Sequence, residues 1–308
     1  MTLSLLTALL PIALLIVLGA WLKRRQFLAD NFWAQAERLA YYVLLPSLFF
    51  HGLATAKLDG VPYQSMVSVL VLSTVVVSLM LLSARPLITQ DNAAFTSVFQ
   101  GGIRFNNYVG VSAAADLFGV HGIALAAVAN AAIVPTVNIL CVLVFAKYGS
   151  GGRMPFSKVL KQLALNPLLL ACFAGGLMRV LGWGLPAGIE PMLRALGHAS
   201  LPLGLLCVGA ALEFGSIKQW LCPVGYSSIV KFLIMPIVTL LACHLFELEG
   251  KAAVAALLFQ TLPTASSSYI MARQLGGDAP LMAGIIACQT LLAGVALPAV
   301  VLALSRWV

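Results

Sequence analysis

Two polar segments, far apart along the chain, combine residue types that bind carboxylates. Residues 101–110 read GGIRFNNYVG and residues 261–269 read TLPTASSSY. An arginine guanidinium presents a planar fork of N–H donors that matches a carboxylate, and amide and hydroxyl groups add neutral donors. The two segments together therefore predict a site for an organic anion. Its candidate residues are Arg104, Asn106, Asn107, Asn138, Pro263, Thr264, Ser266 and Ser267.

Both segments also favour the interruption of a helix. Pro263 removes a backbone donor and clashes with the preceding turn, while glycine, asparagine and serine offer the backbone alternatives to helix. A helix that restarts after a break exposes N–H groups, which stabilise negative charge. We therefore predict breaks near Asn106 and Pro263 that cross near the midplane of a membrane. The alternative for the Ser/Thr run is ordinary small-residue packing between helices.

Arg104 is the most informative single residue. A guanidinium inside a membrane span costs at least ~2.5 kcal/mol, so it should face a pathway or a partner. No carboxylate in either polar segment pairs with it. It is therefore expected to attract an anion, unless its side chain extends to the membrane surface. His51 and Glu213 are further ionisable candidates, either for carrying a coupling proton or as interfacial groups.

The composition indicates that lipid surrounds most of the chain. Of 308 residues, 61% are hydrophobic and 9% are charged, against roughly 25% charged in soluble domains. We expect one transmembrane transporter domain over residues 1–308, with no cofactor and no cluster of metal ligands. The net charge of +8 is spread between apolar stretches, which is typical of membrane topology and not of nucleic-acid binding. Hydrolase motifs such as GxSxG and HExxH are absent, so we do not expect an enzyme.

Apolar stretches predict an all-α protein with ten transmembrane spans. The first five are Leu3–Leu22, Ala36–Leu53, Met66–Leu82, Ala94–Leu117 and Gly122–Phe145. The second five are Asn166–Gly184, His198–Leu212, Val224–Phe246, Ala252–Leu275 and Leu281–Leu304, with an amphipathic lead-in at 189–196. The two polar segments lie in spans four and nine.

The distribution of basic residues predicts the orientation. Twelve of them, including Lys23, Arg38 and Lys231, fall on the side that holds the loop after span one, and five fall on the other. Basic residues concentrate on the cytoplasmic side. Both termini are therefore expected to be extracytoplasmic.

Paired prolines indicate an internal repeat. Pro11 and Pro167, and likewise Pro46 and Pro202, are 156 residues apart. The approximate repeats are 1–148 and 160–308. Because each has an odd number of spans, the two copies must be inverted, as in many secondary transporters.

Four stretches together resemble the auxin efflux carrier family of bacterial and plant transporters. They are 42–46 (YVLLP), 104–107 (RFNN), 134–138 (VPTVN) and 272–278 (ARQLGGD). The resemblance implies a five-plus-five inverted repeat in which spans one, two, six and seven form a scaffold. The other six would form a transport domain that moves like an elevator. It also implies small carboxylate substrates, such as auxin or malate, at a crossover formed by Asn106, Asn107, Pro263, Thr264, Ser266 and Ser267.

The same resemblance places the chain in the membrane and among prokaryotic members. The central loop, 147–165, is short, whereas many plant members have a long one, so we expect the bacterial inner membrane. Span four has glycines and asparagines where plant carriers have a crossover proline. We expect a homodimer, with a proton or sodium as the coupling ion. The alternative function is a sodium-coupled bile-acid-type symporter, which is disfavoured because no acidic residue lies near either break.

Overall fold

All regular structure in the described part of the chain is helical. The computed structural model describes residues 2–55, 61–89, 91–149, 157, 160–161, 164–211 and 217–304. The helices are α1 (Thr2–Arg24), α2 (Asp30–Leu39), α3 (Leu45–Ala54), α4 (Tyr63–Ile88), α5 (Asn92–Ile103), α6 (Asn107–Tyr148), α7 (Pro167–Val180), α8 (Ile189–Ala210), α9 (Ile217–Ile229), α10 (Met235–Leu245), α11 (Gly250–Thr261), α12 (Ser266–Leu275) and α13 (Ala279–Leu304).

Five stretches within these helices are long and apolar enough to cross a membrane. They are Tyr63–Ile88, His121–Tyr148, Ile189–Ala210, Trp220–Leu245 and Ala279–Val300. A span needs about 20 mostly apolar residues. The fold is therefore that of an all-helical, multi-pass membrane protein, and the total of ten spans stays a prediction.

The helices pack as two groups. In the first group, α1 packs on α8, and α3 packs on both α7 and α8. A Cβ at Gly209 would lie 1.9 Å from the Ile16 carbonyl oxygen, and one at Gly19 would lie 2.2 Å from that of Leu206. Only glycine permits this approach of α1 to α8. In the second group, α4, α5, α6 and α9 to α13 pack on one another.

A five-residue π-helical turn occurs at two places in the chain, and in each case a proline is the second residue after it. Residues 40–44 join α2 to α3 ahead of Leu45-Pro46, and residues 230–234 join α9 to α10 ahead of Met235-Pro236. A proline inside a helix lacks the donor for the preceding turn and crowds the carbonyl there. The wider π-helical turn keeps the helix continuous despite the hydrogen bond that the proline cannot make. Turns of this kind are frequent at functional sites.

Both predicted helix breaks are present. The chain leaves the helix at Arg104–Asn106, between α5 and α6, and at 262–265, between α11 and α12. Leu262 is extended (φ −60°, ψ 145°) because the residue before a proline is kept out of the helical region. Arg104 is also extended (φ −77°, ψ 157°), and no proline follows it.

The structure agrees with one sequence-based assignment and corrects another. Spans four and five were expected to be separate, and α6 is divided between them at Gly119, whose backbone is not helical (φ 61°, ψ −137°). Lys231 was counted among the basic residues of the cytoplasmic side, but its side chain is fully buried within the helix that runs from Trp220 to Leu245. Without Lys231, the charge bias keeps its direction.

We predict that the loop after α1 is cytoplasmic and the loop before α11 is extracytoplasmic. The test is a cysteine at Phe27, which is 70% exposed, or at the exposed Glu249, with the accessible Cys222 and Cys288 replaced by serine. A membrane-impermeant thiol reagent added to intact cells should label Glu249→Cys only. Labelling of Phe27→Cys under those conditions would reverse the orientation.

Candidate functional site

The two helix breaks lie against each other and border one cavity. The Asn106 N–H donates to the Pro263 carbonyl oxygen at 2.8 Å. The cavity measures about 40 Å³, on a scale where one water needs roughly 10–15 Å³. It is lined by Leu45, Leu48, Phe49, Arg104, Phe105, Asn106, Asn107, Val134, Val137, Asn138, Ser200, Ala265, Ser266 and Ser267. In this conformation, the cavity has room for a few waters.

Arg104 is held inside the protein. Its side chain is 3% exposed. Nη1 donates to the Asn138 Oδ1 at 2.8 Å, and Nη2 donates to the Ser267 Oγ at 2.9 Å. The guanidinium therefore does not extend to the membrane surface. It joins the first break to α6 and to the start of α12.

The positive charge of Arg104 is not balanced within the described residues. Their ion pairs join Lys23 to Asp30, His51 to Glu190 and Arg273 to Glu37, and none involves Arg104. The buried Arg104 Nε has no hydrogen-bond partner. A buried cation that is paired only with neutral oxygens favours an anion beside it.

Two helix starts add to this positive field. Helix α6 begins at Asn107 and α12 begins at Ser266, and both residues line the cavity. The first N–H groups of a helix have no partner within that helix and carry a partial positive charge. No side chain caps α12. The arrangement can therefore bind a carboxylate through the guanidinium, through amide and hydroxyl groups, and through N–H groups at the helix starts.

Six of the eight predicted binding residues line the cavity, and two lie behind it. Thr264 is fully buried, its N–H donates to the Gln289 Oε1 at 3.0 Å, and its hydroxyl bonds to that of Ser268 at 3.1 Å. Pro263 contributes its carbonyl oxygen to Asn106. Both residues shape the second break and do not face the cavity.

The candidate proton carriers lie elsewhere. The His51 Nε2 is 3.8 Å from the Glu190 Oε1. Glu190 is a partly exposed residue at the beginning of α8, and His51 does not line the cavity. Glu213 lies outside the described residues.

Comparisons with known proteins place this site in a transporter. Residues 152–301 match the family model described as "Membrane transport protein". A protein of Methanothermobacter thermautotrophicus named "Uncharacterized transporter" is 24% identical over 94% of this chain and 95% of its own length. A protein of Rhizobium meliloti named "Putative malonate transporter" is 25% identical over 76% of this chain and 75% of its own.

The resemblance to the auxin efflux carrier family is confirmed. The chain is a membrane transporter and not an enzyme. The part that matches the family model, residues 152–301, includes the second break of this transporter and begins after the first break.

Sequence reasoning missed two buried polar contacts of the transporter. The Gln260 Nε2 donates to the Leu70 carbonyl oxygen and to the hydroxyls of Ser73 and Thr74 at 2.9–3.1 Å, which ties α11 to α4. The recurrence of Phe-Gln at 99–100 and 259–260 was the available signal.

Glu37 forms the second contact and gave no signal in the sequence. Its carboxylate accepts from the Tyr269 hydroxyl at 2.6 Å and from the Arg273 Nε at 3.0 Å. These partners are 232 and 236 residues away. The contact joins α2 to α12.

Replacing Arg104 should weaken anion binding by the transporter. We expect Arg104→Gln to cost about 1–3 kcal/mol of binding free energy, the scale of a hydrogen bond to a charged group. Arg104→Lys should restore only part of it, because an ammonium lacks the planar fork. Malonate affinity is measured on purified, folded protein by thermal stabilisation.

The matched control is the exposed Arg194. Arg194→Gln removes the same charge far from the cavity lining and should leave malonate affinity unchanged. If Arg104→Gln and the unmodified protein bind malonate with equal affinity, Arg104 has only a structural role.

Proposed function

We propose that this transporter carries a small organic carboxylate, bound in the cavity at the two helix breaks, by elevator-type alternating access. The observation that carries the proposal is the Arg104 guanidinium, which is 3% exposed and has no carboxylate partner among the described residues. Helix starts on both sides of it add to the preference for an anion.

The size of the cavity favours a substrate of few atoms. Sites for drug-sized ligands measure roughly 300–1,000 Å³, whereas this cavity measures about 40 Å³. A compact carboxylate needs only a modest widening to replace the waters that the cavity can hold. The name of the Rhizobium meliloti relative, "Putative malonate transporter", agrees with a substrate of this size.

The cavity is less suited to sodium. Its described lining contains Arg104 and no Asp or Glu. Sodium would meet a fixed positive charge there without a carboxylate to offset it, and hard cations prefer carboxylate and carbonyl oxygens. The lining therefore supports the carboxylate carrier over the sodium-coupled bile-acid-type symporter as the better proposal.

The two sides of the cavity differ in a way that suits an elevator. From α3 and α8 come the apolar Leu45, Leu48 and Phe49 and a single polar residue, Ser200. The other hydrogen-bond donors of the lining belong to the second group of helices and to the first break. They are Arg104, Asn106, Asn107, Asn138, Ser266 and Ser267. Nearly all of the polar groups that would hold the substrate thus belong to one packing group and can move together across an apolar surface. This division supports the scaffold and transport domain, and inverted repeats commonly permit such motion.

Glu37 is proposed to hold the present conformation. Helix α2, which carries it, belongs to the proposed scaffold, and Tyr269 and Arg273 belong to the proposed transport domain. Glu37 is 4% exposed, and hydrogen bonds to a charged group are worth about 1.5–3 kcal/mol each. Movement of α12 past α2 must break both bonds, so they favour one state of the cycle.

The ten spans, the inverted repeat, the inner membrane, the extracytoplasmic termini and the homodimer stay predictions. The offsets between paired prolines and the two matched breaks support the repeat. The excess of basic residues on one side supports the orientation.

The proposed substrate class predicts selective binding and exchange. Malonate and other short carboxylates should raise the melting temperature of the purified protein in a saturable way, and uncharged analogues such as the diamides should not. In proteoliposomes loaded with unlabelled malonate, labelled malonate should enter by counterflow. If no short carboxylate binds or exchanges, the proposed function is wrong.

Weakening the Glu37 contact should shift the conformational equilibrium. Glu37→Gln keeps the shape of the side chain but removes its charge, so the hydrogen bonds to Tyr269 and Arg273 become weaker. Amide exchange within Ser266–Leu275 should then become faster, because local opening costs less free energy. Hydrogen–deuterium exchange measures this.

The control for this test is Asp30→Asn on the same helix, which removes an exposed carboxylate paired with Lys23. It should leave exchange in α12 unchanged. Equal exchange in the Glu37→Gln and unmodified proteins would show that the contact does not hold the conformation.

A further inference from the structure

Lys231 is a fully buried amine that the carboxylate site does not use. It lies in the π-helical turn between α9 and α10, and its side chain is 0% exposed. Its Nζ has no hydrogen-bond partner. No ion pair of the described residues includes it.

This placement is costly for an ammonium group. A lysine ammonium carries three donors, and removing such an ion from water costs several kcal/mol unless acceptors surround it. The long stem of lysine normally lets its head reach water, but here the head does not reach it. An ionisable group placed this way inside a membrane protein indicates a functional role by default.

No described neighbour supplies a compensating negative charge. The π-helical turn packs against α5, α11 and α13. Helix α5 has no titratable residue, α11 has the exposed Lys251, and α13 has the half-buried Cys288. On its own helix the other titratable side chains that the structure describes are Cys222, Tyr226 and His244, which are exposed, and Cys243, which is buried. None of these is a carboxylate.

The helix that carries Lys231 is nevertheless linked to the crossover through a short chain of contacts. Ser227, one turn earlier on the same helix, accepts from the Gln289 Nε2 at 2.9 Å. Gln289 also donates to the Gly101 carbonyl oxygen at 3.1 Å and accepts from the Thr264 N–H at 3.0 Å. One side chain thus joins the helix of Lys231 to both broken helices.

The contact between α5 and α9 is also tight. A Cβ at Gly101 would lie 2.2 Å from the Ser227 Oγ, so a larger residue would displace the Ser227 side chain that bonds Gln289. Arg104 follows Gly101 by three residues. The helix that carries Lys231 therefore cannot shift relative to α5 without disturbing the residues that line the carboxylate cavity.

We propose that Lys231 is the proton-coupling group of the transport cycle. In the present conformation the amine is neutral. When alternating access opens its surroundings to water, the nitrogen lone pair takes a proton from hydronium, forming the ammonium and leaving water. The reverse step releases the proton to water on the other side. This inference rests on the proposed carboxylate transport.

The charges fix the direction of coupling. An anion at the crossover stabilises a nearby ammonium, because charges interact strongly in a medium of low dielectric constant. By linkage, protonation of Lys231 then strengthens anion binding to the same degree. Proton and carboxylate are therefore carried together, as a symport.

The test uses malonate, in a pH range where both of its carboxylates stay ionised. Malonate affinity of the unmodified protein should rise as the pH falls, by up to about tenfold per pH unit for one linked proton. Lys231→Met, which has a similar length and no charge, should bind malonate with no pH dependence. The matched control, Lys251→Met, removes an exposed lysine of α11 and should keep it.

Transport in proteoliposomes gives an independent readout. An inward proton gradient should drive malonate above its equilibrium level, with proton entry reported by a trapped pH-sensitive dye. Lys231→Met should retain counterflow without a gradient and lose the accumulation. Accumulation by Lys231→Met at the unmodified level, or accumulation driven only by sodium, would overturn the inference.

Two further outcomes separate the role of Lys231 from the proposed function. If Lys231→Met does not fold, the unmodified protein still decides, since pH-independent malonate affinity would reject proton linkage. If no short carboxylate exchanges in the unmodified protein, the proposed function fails, and the symport falls with it. Carboxylate exchange without proton linkage rejects the role of Lys231 alone.

Discussion

A helix that breaks inside an apolar bundle exposes backbone donors and acceptors that lipid cannot satisfy. Here the two breaks satisfy part of this need together, since the Asn106 N–H donates to the Pro263 carbonyl oxygen. Gln289 accepts from the Thr264 N–H and donates to the Gly101 carbonyl oxygen. These bonds require the breaks to lie side by side. The two helix starts consequently meet at one cavity, which is the physical basis of the proposed anion site.

The two breaks differ in how far local sequence explains them. At Pro263 the cause is local, because the ring excludes the helical conformation from Leu262. At Arg104 no residue forces the break. The extended conformation there is supported by contacts that are distant in sequence, from its guanidinium to Asn138 and Ser267. Sequence reasoning could find the position of this break through its glycines and asparagines, but not the contacts that stabilise it.

Charged residues inside the bundle were the hardest to place from sequence. Counting basic residues by side assumes that each lies near the membrane surface, which holds for Lys23 but not for Lys231. The stretch from Trp220 to Leu245 is apolar enough that one lysine does not prevent it from being a span. For Glu37, burial depends on Tyr269 and Arg273, which approach only when α12 packs on α2. No local pattern contains that information.

The interior of this transporter is electrostatically asymmetric. Its buried carboxylate, Glu37, has its own cationic partner in Arg273, whereas Arg104 is bonded only to neutral groups. The unbalanced cation lies where the breaks provide further partial positive charge. Neutral oxygens stabilise a guanidinium but cannot cancel its field, and that field is weakly screened away from water. A bound anion would therefore supply the compensating charge that the described residues around Arg104 lack. The contacts that permit the helices to break thus also support the proposed binding at the crossover.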